Sequence, residues 1–121
     1  MTKHDFFRLL TERIVILDGA TGTELMRRGM PSGVCPEQWV LEHPEALRAV
    51  QSAYREAGSN IVYVPSFGAN RCKLSEYGLD GKVRDLNRRL AVLSREAASR
   101  ALCFGDISPT GQFLAPIGML N

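Results

Sequence analysis

The chain has 121 residues, 45% hydrophobic and 23% charged, with 15 basic against 13 acidic side chains and a formal charge of +2. That make-up describes one ordinary globular domain spanning 1–121, and so even a balance gives no ground for a nucleic-acid or anionic-membrane partner. Three cysteines, Cys35, Cys72 and Cys103, stand far apart with no C-x-x-C, which argues against a disulfide framework or zinc knuckle and points to a reducing cytoplasm.

The opening MTKHDFFRLLTER breaks its apolar runs with charge, so it reads as a short amphipathic helix, neither a secretory signal nor a membrane span. Ile14-Val15-Ile16-Leu17 is a continuous, largely β-branched run and predicts a strand buried on both faces, as in a parallel sheet. The turn Gly19-Ala20-Thr21-Gly22-Thr23 leads to a helical turn from Glu24 to Arg28, closed by Gly29. Met30 to Gln38 holds Pro31, Gly33 and Pro36 and reads as a loop.

Pro44 suits the start of the next helix and Gly58 its end; Leu47, Val50, Tyr54 and Ala57 recur at helical steps on one face. Ile61 to Val64 predicts a second buried strand, halted by Pro65, with a loop and short helix following from Ser66 to Gly78. The longest helix runs from about Lys82 to Ala101, with Asp80 as N-cap and Val83, Leu86, Leu90, Leu93 and Ala97 as its buried stripe. A third strand covers Leu102 to Ile107, and SPTGQFLAPIGMLN reads as loop.

Alternation of helix and strand predicts βαβ units and a parallel sheet. In such folds ligands sit at the carboxyl ends of the strands. Three segments fall there: Asp18 to Thr23, Pro65 to Asn70, and Gly105 to Gly111. Their glycines serve a tight turn on one reading and close backbone approach to an anionic ligand group on the other. Asp18 could hold a ligand ammonium, and Asp106 is either a ligand group or a cap on its own loop. Phe67 is a pocket wall or, the commoner fate of phenylalanine, core. His4 and His43 lie outside these loops, His43 as a helix-start residue, and Cys72 has no partner at metal-ligand spacing. Neither a P-loop nor G-x-G-x-x-G is present, which disfavours a nucleotide site.

LDGATGTEL at 17–25, SFGANRCKLSEYGL at 66–79 and FGDISPTGQFLAPIG at 104–118 together resemble the opening of the homocysteine S-methyltransferase family, which includes the homocysteine-binding domain of cobalamin-dependent methionine synthase and the betaine-dependent enzyme. The resemblance runs from about Arg13 to Gly118. It implies an α/β chain forming the first three strand-helix units of a (β/α)8 barrel, where a full barrel takes about 250 residues. It implies methyl transfer to the homocysteine thiol, giving methionine, with a zinc ion on three cysteine thiolates to stabilise the nucleophilic sulfur.

From the resemblance, the expected substrate-binding residues are Asp18, Gly19, Ala20, Thr21, Gly22, Thr23, Ser66, Phe67 and Asp106. The family's zinc-binding motifs, Gly-x-Asn-Cys and Gly-Gly-Cys-Cys, and a substrate-contacting glutamate belong to later strands. Cys35, Cys72 and Cys103 do not match them, so the expectation is no metal ligand and no catalytic residue here. The chain is expected to be an N-terminal fragment, inactive alone, that self-associates or pairs with the missing part of the barrel. Methylcobalamin is one donor the resemblance admits, beside betaine and S-methylmethionine. Two positions depart from the family pattern: Pro65, where a polar residue is usual, and Ser108, where glycine is. The alternative reading is a non-catalytic α/β binding or assembly module derived from the barrel.

Overall fold

Two amphipathic helices frame the molecule. In α4 (Pro44–Glu56) Ala46, Leu47, Val50 and Gln51 are buried, and in α6 (Val83–Ala98) Leu86, Leu90, Leu93, Ser94, Ala97 and Ala98 are. The computed structural model describes residues 1–118. The two helices pack on each other and on the parallel strands β1 (Ile61–Tyr63) and β2 (Leu102–Phe104). The core joins Leu47, Val50, Leu90 and Leu93 to Val64 of the strand end, with Leu25, Trp39 and Val40 from shorter helices. A second cluster, Cys35, Leu74, Leu79 and Leu86, lies beneath a short helix.

The other elements are α1 (Lys3–Glu12), α2 (Thr21–Arg27), α3 (Pro36–Glu42), α5 (Arg71–Ser75) and a 3-10 turn, Asp80–Lys82. A capping box between Thr2 and Asp5 starts α1, and its Phe6 ring meets Phe104 edge-on at 5.2 Å. Among the described residues no helix is long and apolar enough to cross a membrane.

Several expectations are corrected. Ile14–Leu17 forms no strand; Leu17 alone makes a parallel bridge, to Ile61. Side chains replace ladder partners on both sides of it: Asn60 Oδ1 accepts from the Ile16 N–H at 3.0 Å, and Asp18 Oδ2 accepts from the Tyr63 N–H at 3.0 Å. The segment has one neighbouring strand and little cover, so Ile14 is 88% exposed and Ile16 and Leu17 about half. The Met30–Gln38 stretch ends in a helix, because Pro36 opens α3 at a first-turn position.

Gly22 and Thr23 belong to α2, which begins at Thr21 and not at Glu24. Asp80 starts the 3-10 turn, and α6 follows Lys82 without a side-chain cap. Positive φ at Ser99, 53°, ends α6 before Ala101. The third strand stops at Phe104, short of Ile107. On α4 the stripe turns toward Gln51 and leaves Ala57 exposed. Of the closing loop, residues 119–121 lie outside the described residues.

Candidate functional site

A cleft of about 530 Å³ opens where the Leu17 bridge, β1 and β2 end, the carboxyl end at which parallel α/β folds place their ligands. Each of the three glycine-rich segments reaches it. Asp18, Gly19, Thr21 and Gly22 come from the first, Phe67 from the second and Asp106 from the third. Ala20, Thr23 and Ser66 lie outside its lining.

Asp18 is tied to β1 at two points. Its N–H donates to the Ile61 carbonyl at 2.9 Å and its carboxylate accepts from the Tyr63 N–H. Burial raises the Asp18 pKa above the usual carboxylate value, and the Tyr63 bond opposes that only in part. Such a group is poised to accept a cation, which would restore the stabilisation its charge loses on burial. The Tyr63 carbonyl in turn accepts from Gln51 Nε2 at 2.9 Å, so the strand end behind Asp18 is held from the helical layer too. Gly19 faces the Tyr54 ring: a Cβ there would fall 2.9 Å from the phenol oxygen.

Ser66 is buried and acts as a clamp. Its hydroxyl donates to the Asp106 carbonyl at 2.9 Å and accepts from the Asp106 N–H at 3.3 Å, which joins the second segment to the third. Asp106 is among the residues that line the cleft, and its carboxylate accepts from the Ser108 hydroxyl at 2.7 Å, capping its own loop. Phe67 is 65% exposed and is a wall, not core.

Sequence reasoning missed Glu37, Tyr63, Lys73, Glu76 and Tyr77, all in the lining. Glu37 is buried at 4% exposure, and its Oε1 accepts from the Gly68 N–H at 2.7 Å. Reading Pro36 as a helix start instead of a loop breaker would have brought Glu37 into view. Lys73 is paired with Glu76 at 3.1 Å. The lining thus holds four acidic residues, Asp18, Glu37, Glu76 and Asp106, against one lysine, a balance that favours a positively charged ligand group.

The described residues do not suit a thiolate-bound zinc. Among the described residues no three His, Cys, Asp or Glu side chains come together as a metal site. The three cysteines are dispersed, and burial raises the thiol pKa of Cys35 and Cys103, the opposite of what a ligating thiolate needs. His43 stacks on Trp39 at 4.3 Å and sits at the α3–α4 junction, a structural place as its sequence position suggested.

Comparison with known proteins agrees with this arrangement. The sequence profile of the family described as homocysteine S-methyltransferase matches residues 15–120. A methionine synthase of Mycobacterium leprae is 32% identical over 102 residues, covering 78% of this chain and 8% of that protein. The S-methylmethionine–homocysteine S-methyltransferase of Pongo abelii is 34% identical, over 85% of this chain and 28% of its own length. The crystal structure of the Escherichia coli homocysteine methyltransferase, metallated form, superposes with a TM-score of 0.71 at 30% identity, covering 86% of this chain and 41% of that one. The chain therefore spans less than half of each of these relatives, and its fold is that of the opening strand-helix units of their (β/α)8 barrel, with the sheet unclosed.

Proposed function

Because the chain belongs to the homocysteine S-methyltransferase family, we propose that it supplies part of the homocysteine pocket of an enzyme that transfers a methyl group to the homocysteine thiol, giving methionine. One observation carries the reading. The family match takes in all three segments that the fold brings together at the cleft.

In this reading Asp18 receives the substrate ammonium. The ammonium replaces water lost on burial as the partner of the carboxylate, and the surplus of carboxylates around the cleft draws the cationic end inward. Phe67 and Tyr63 bound the space for the thiol-bearing chain. In the transfer itself the sulfur–methyl bond forms as the donor–methyl bond breaks, and the thiol proton leaves before or with that step. In this reading the residues of this chain bind and orient the substrate. A zinc ion would supply thiolate stabilisation in the complete enzyme, but the described residues do not fit it.

Amide NMR of the chain titrated with L-homocysteine tests the proposal. The expected result is weak, millimolar-range binding with shifts centred on Asp18, Phe67 and Asp106, which L-alanine reproduces only around Asp18. Homocysteine that leaves these three resonances in place while moving others would refute it.

A further inference from the structure

We propose that Glu37 is a positioning residue of this cleft, whose carboxylate holds the Gly68 amide and thereby fixes Phe67 as the cleft wall. The problem it solves is visible in Phe67 itself. A phenylalanine that is 65% exposed has little packing of its own to hold it in one place. Its position must come from its neighbours, and both are tethered. On one side Ser66 is clamped to the Asp106 backbone at the end of β2. On the other, the Gly68 N–H donates to Glu37 Oε1 at 2.7 Å, a short, charge-assisted bond across 31 residues of sequence.

The carboxylate is built for this contact. At 4% exposure it has given up most of its water, which is costly unless hydrogen bonds replace it. Its partners among the described residues are the Gly68 amide and the Cys35 thiol, whose Sγ donates to Oε2 at 3.4 Å. It stands in the first turn of α3, where negative charge is favourable.

Gly68 is shaped to match. Its φ is not in the left-handed region, so backbone conformation does not demand glycine there. The closeness of the carboxylate is what bears on it: a Cβ at Gly68 would lie 2.8 Å from Glu37 Oε1 and 3.2 Å from Oε2. A side chain would therefore push the carboxylate off the amide. Glu37 thus links α3, a helix outside the three glycine-rich segments, to the wall of the cleft they form.

The proposal rests on the homocysteine reading only for what the wall serves; the clamp is tested without ligand. Backbone hydrogen exchange is measured in the 121-residue chain and in Glu37→Ala, Glu37→Gln and Gly68→Ala, with the amides of Val62 and Leu90 as controls for the fold. In Glu37→Ala the Gly68 amide should exchange about tenfold or more faster, the scale of a lost charge-assisted hydrogen bond. Glu37→Gln keeps a carbonyl acceptor and should retain most of the protection. Gly68→Ala should reproduce the Glu37→Ala loss at the residue-68 amide, and the double variant should be no worse than either single one. An unchanged Gly68 rate in a folded Glu37→Ala chain, or losses that add as independent effects, overturns the proposal. If Glu37→Ala does not fold, Gly68→Ala carries the test by itself: wild-type protection at residue 68 would overturn the clamp. Homocysteine titration separates the two readings. The Phe67 shifts that homocysteine produces in the wild-type chain should vanish in Glu37→Ala, where the clamp is gone, while those at Asp18 persist. A clamp that behaves as stated in a wild-type chain that homocysteine does not perturb would end the substrate reading alone.

Discussion

Asp18 does two jobs that a pair of substitutions can pull apart. Its carboxylate accepts the Tyr63 N–H at 3.0 Å and faces the cleft. Asp18→Ala leaves that part-buried N–H without its acceptor, a loss of about 1–3 kcal/mol, or a fall in Tm of roughly 4 °C per kcal/mol for a chain of this size. Asp18→Asn keeps an oxygen for Tyr63 and removes the charge that burial penalises, so its stability at neutral pH should stay within about 0.5 kcal/mol of wild type or exceed it. The pH dependence gives a second check. Because burial raises the folded-state pKa of Asp18, there is a window above the unfolded value of about 3.9. In it the folded chain holds a proton that the unfolded chain has lost. Stability contributed by this group therefore falls as pH rises through that window, and the wild-type minus Asp18→Asn difference should slope downward there and then level. Urea denaturation of the three proteins across the acid range measures all of this, and homocysteine titration should show weaker binding in both variants. Asp18→Asn as unstable as Asp18→Ala, or a difference curve that rises with pH, would refute the reasoning.

Gly19→Ala should lower stability by about 1–3 kcal/mol through overpacking, since its Cβ would meet Tyr54 Oη at 2.9 Å and Cε1 at 3.0 Å; in thermal melts a companion Tyr54→Phe should recover only part, because the ring atoms remain. Leu90→Ala, at a side chain with no exposed area in the core, should cost about 2–5 kcal/mol by urea denaturation, and a loss below about 1 kcal/mol would mean that α4 and α6 do not enclose it as described. The 121-residue chain should self-associate, because Ile14, Ile107, Phe113, Leu114 and Ile117 are all more than 60% exposed, an apolar surface that single soluble domains seldom carry; sedimentation showing a cooperatively folded monomer at micromolar concentration would refute this.

The helices that amphipathic spacing announces are the parts of this fold most legible in the sequence. On α6 the predicted stripe is buried from Leu86 through Ala97, on α4 it is buried at Leu47 and Val50 but not at Tyr54 or Ala57, and Gly58 follows α4 with φ of 108°. Two errors have the same physical origin. Pro31, Gly33 and Pro36 look like loop punctuation, but Pro36 serves as the first residue of α3, since its missing N–H has no partner to lose there. Gly22 looks like part of a turn, yet it stands in the first turn of α2, where intrahelical bonds are still few. Local composition shows where a helix can begin and does not show on which side of the boundary a residue falls.

The apolar run Ile14–Leu17 teaches the complementary lesson, and it bears on the site. Its β-branched residues report the surroundings that the segment suits, which is burial between two layers and two strands. In the structure it has one strand neighbour, and its pairing shrinks to the single Leu17–Ile61 bridge. The place of Asp18 in the cleft lining was nonetheless legible, because it follows the run directly and any parallel pairing of Leu17 carries it to the carboxyl edge. Glu37 was not legible. Its contact with Gly68 spans 31 residues, and it exists only because α3 forms and packs against α6 and the core. Residues that end a strand can be found from local pattern; a carboxylate that reaches the same cleft from a neighbouring helix depends on tertiary packing. The cleft draws on both kinds, with the glycine-rich segments giving its floor and Glu37 fastening its wall.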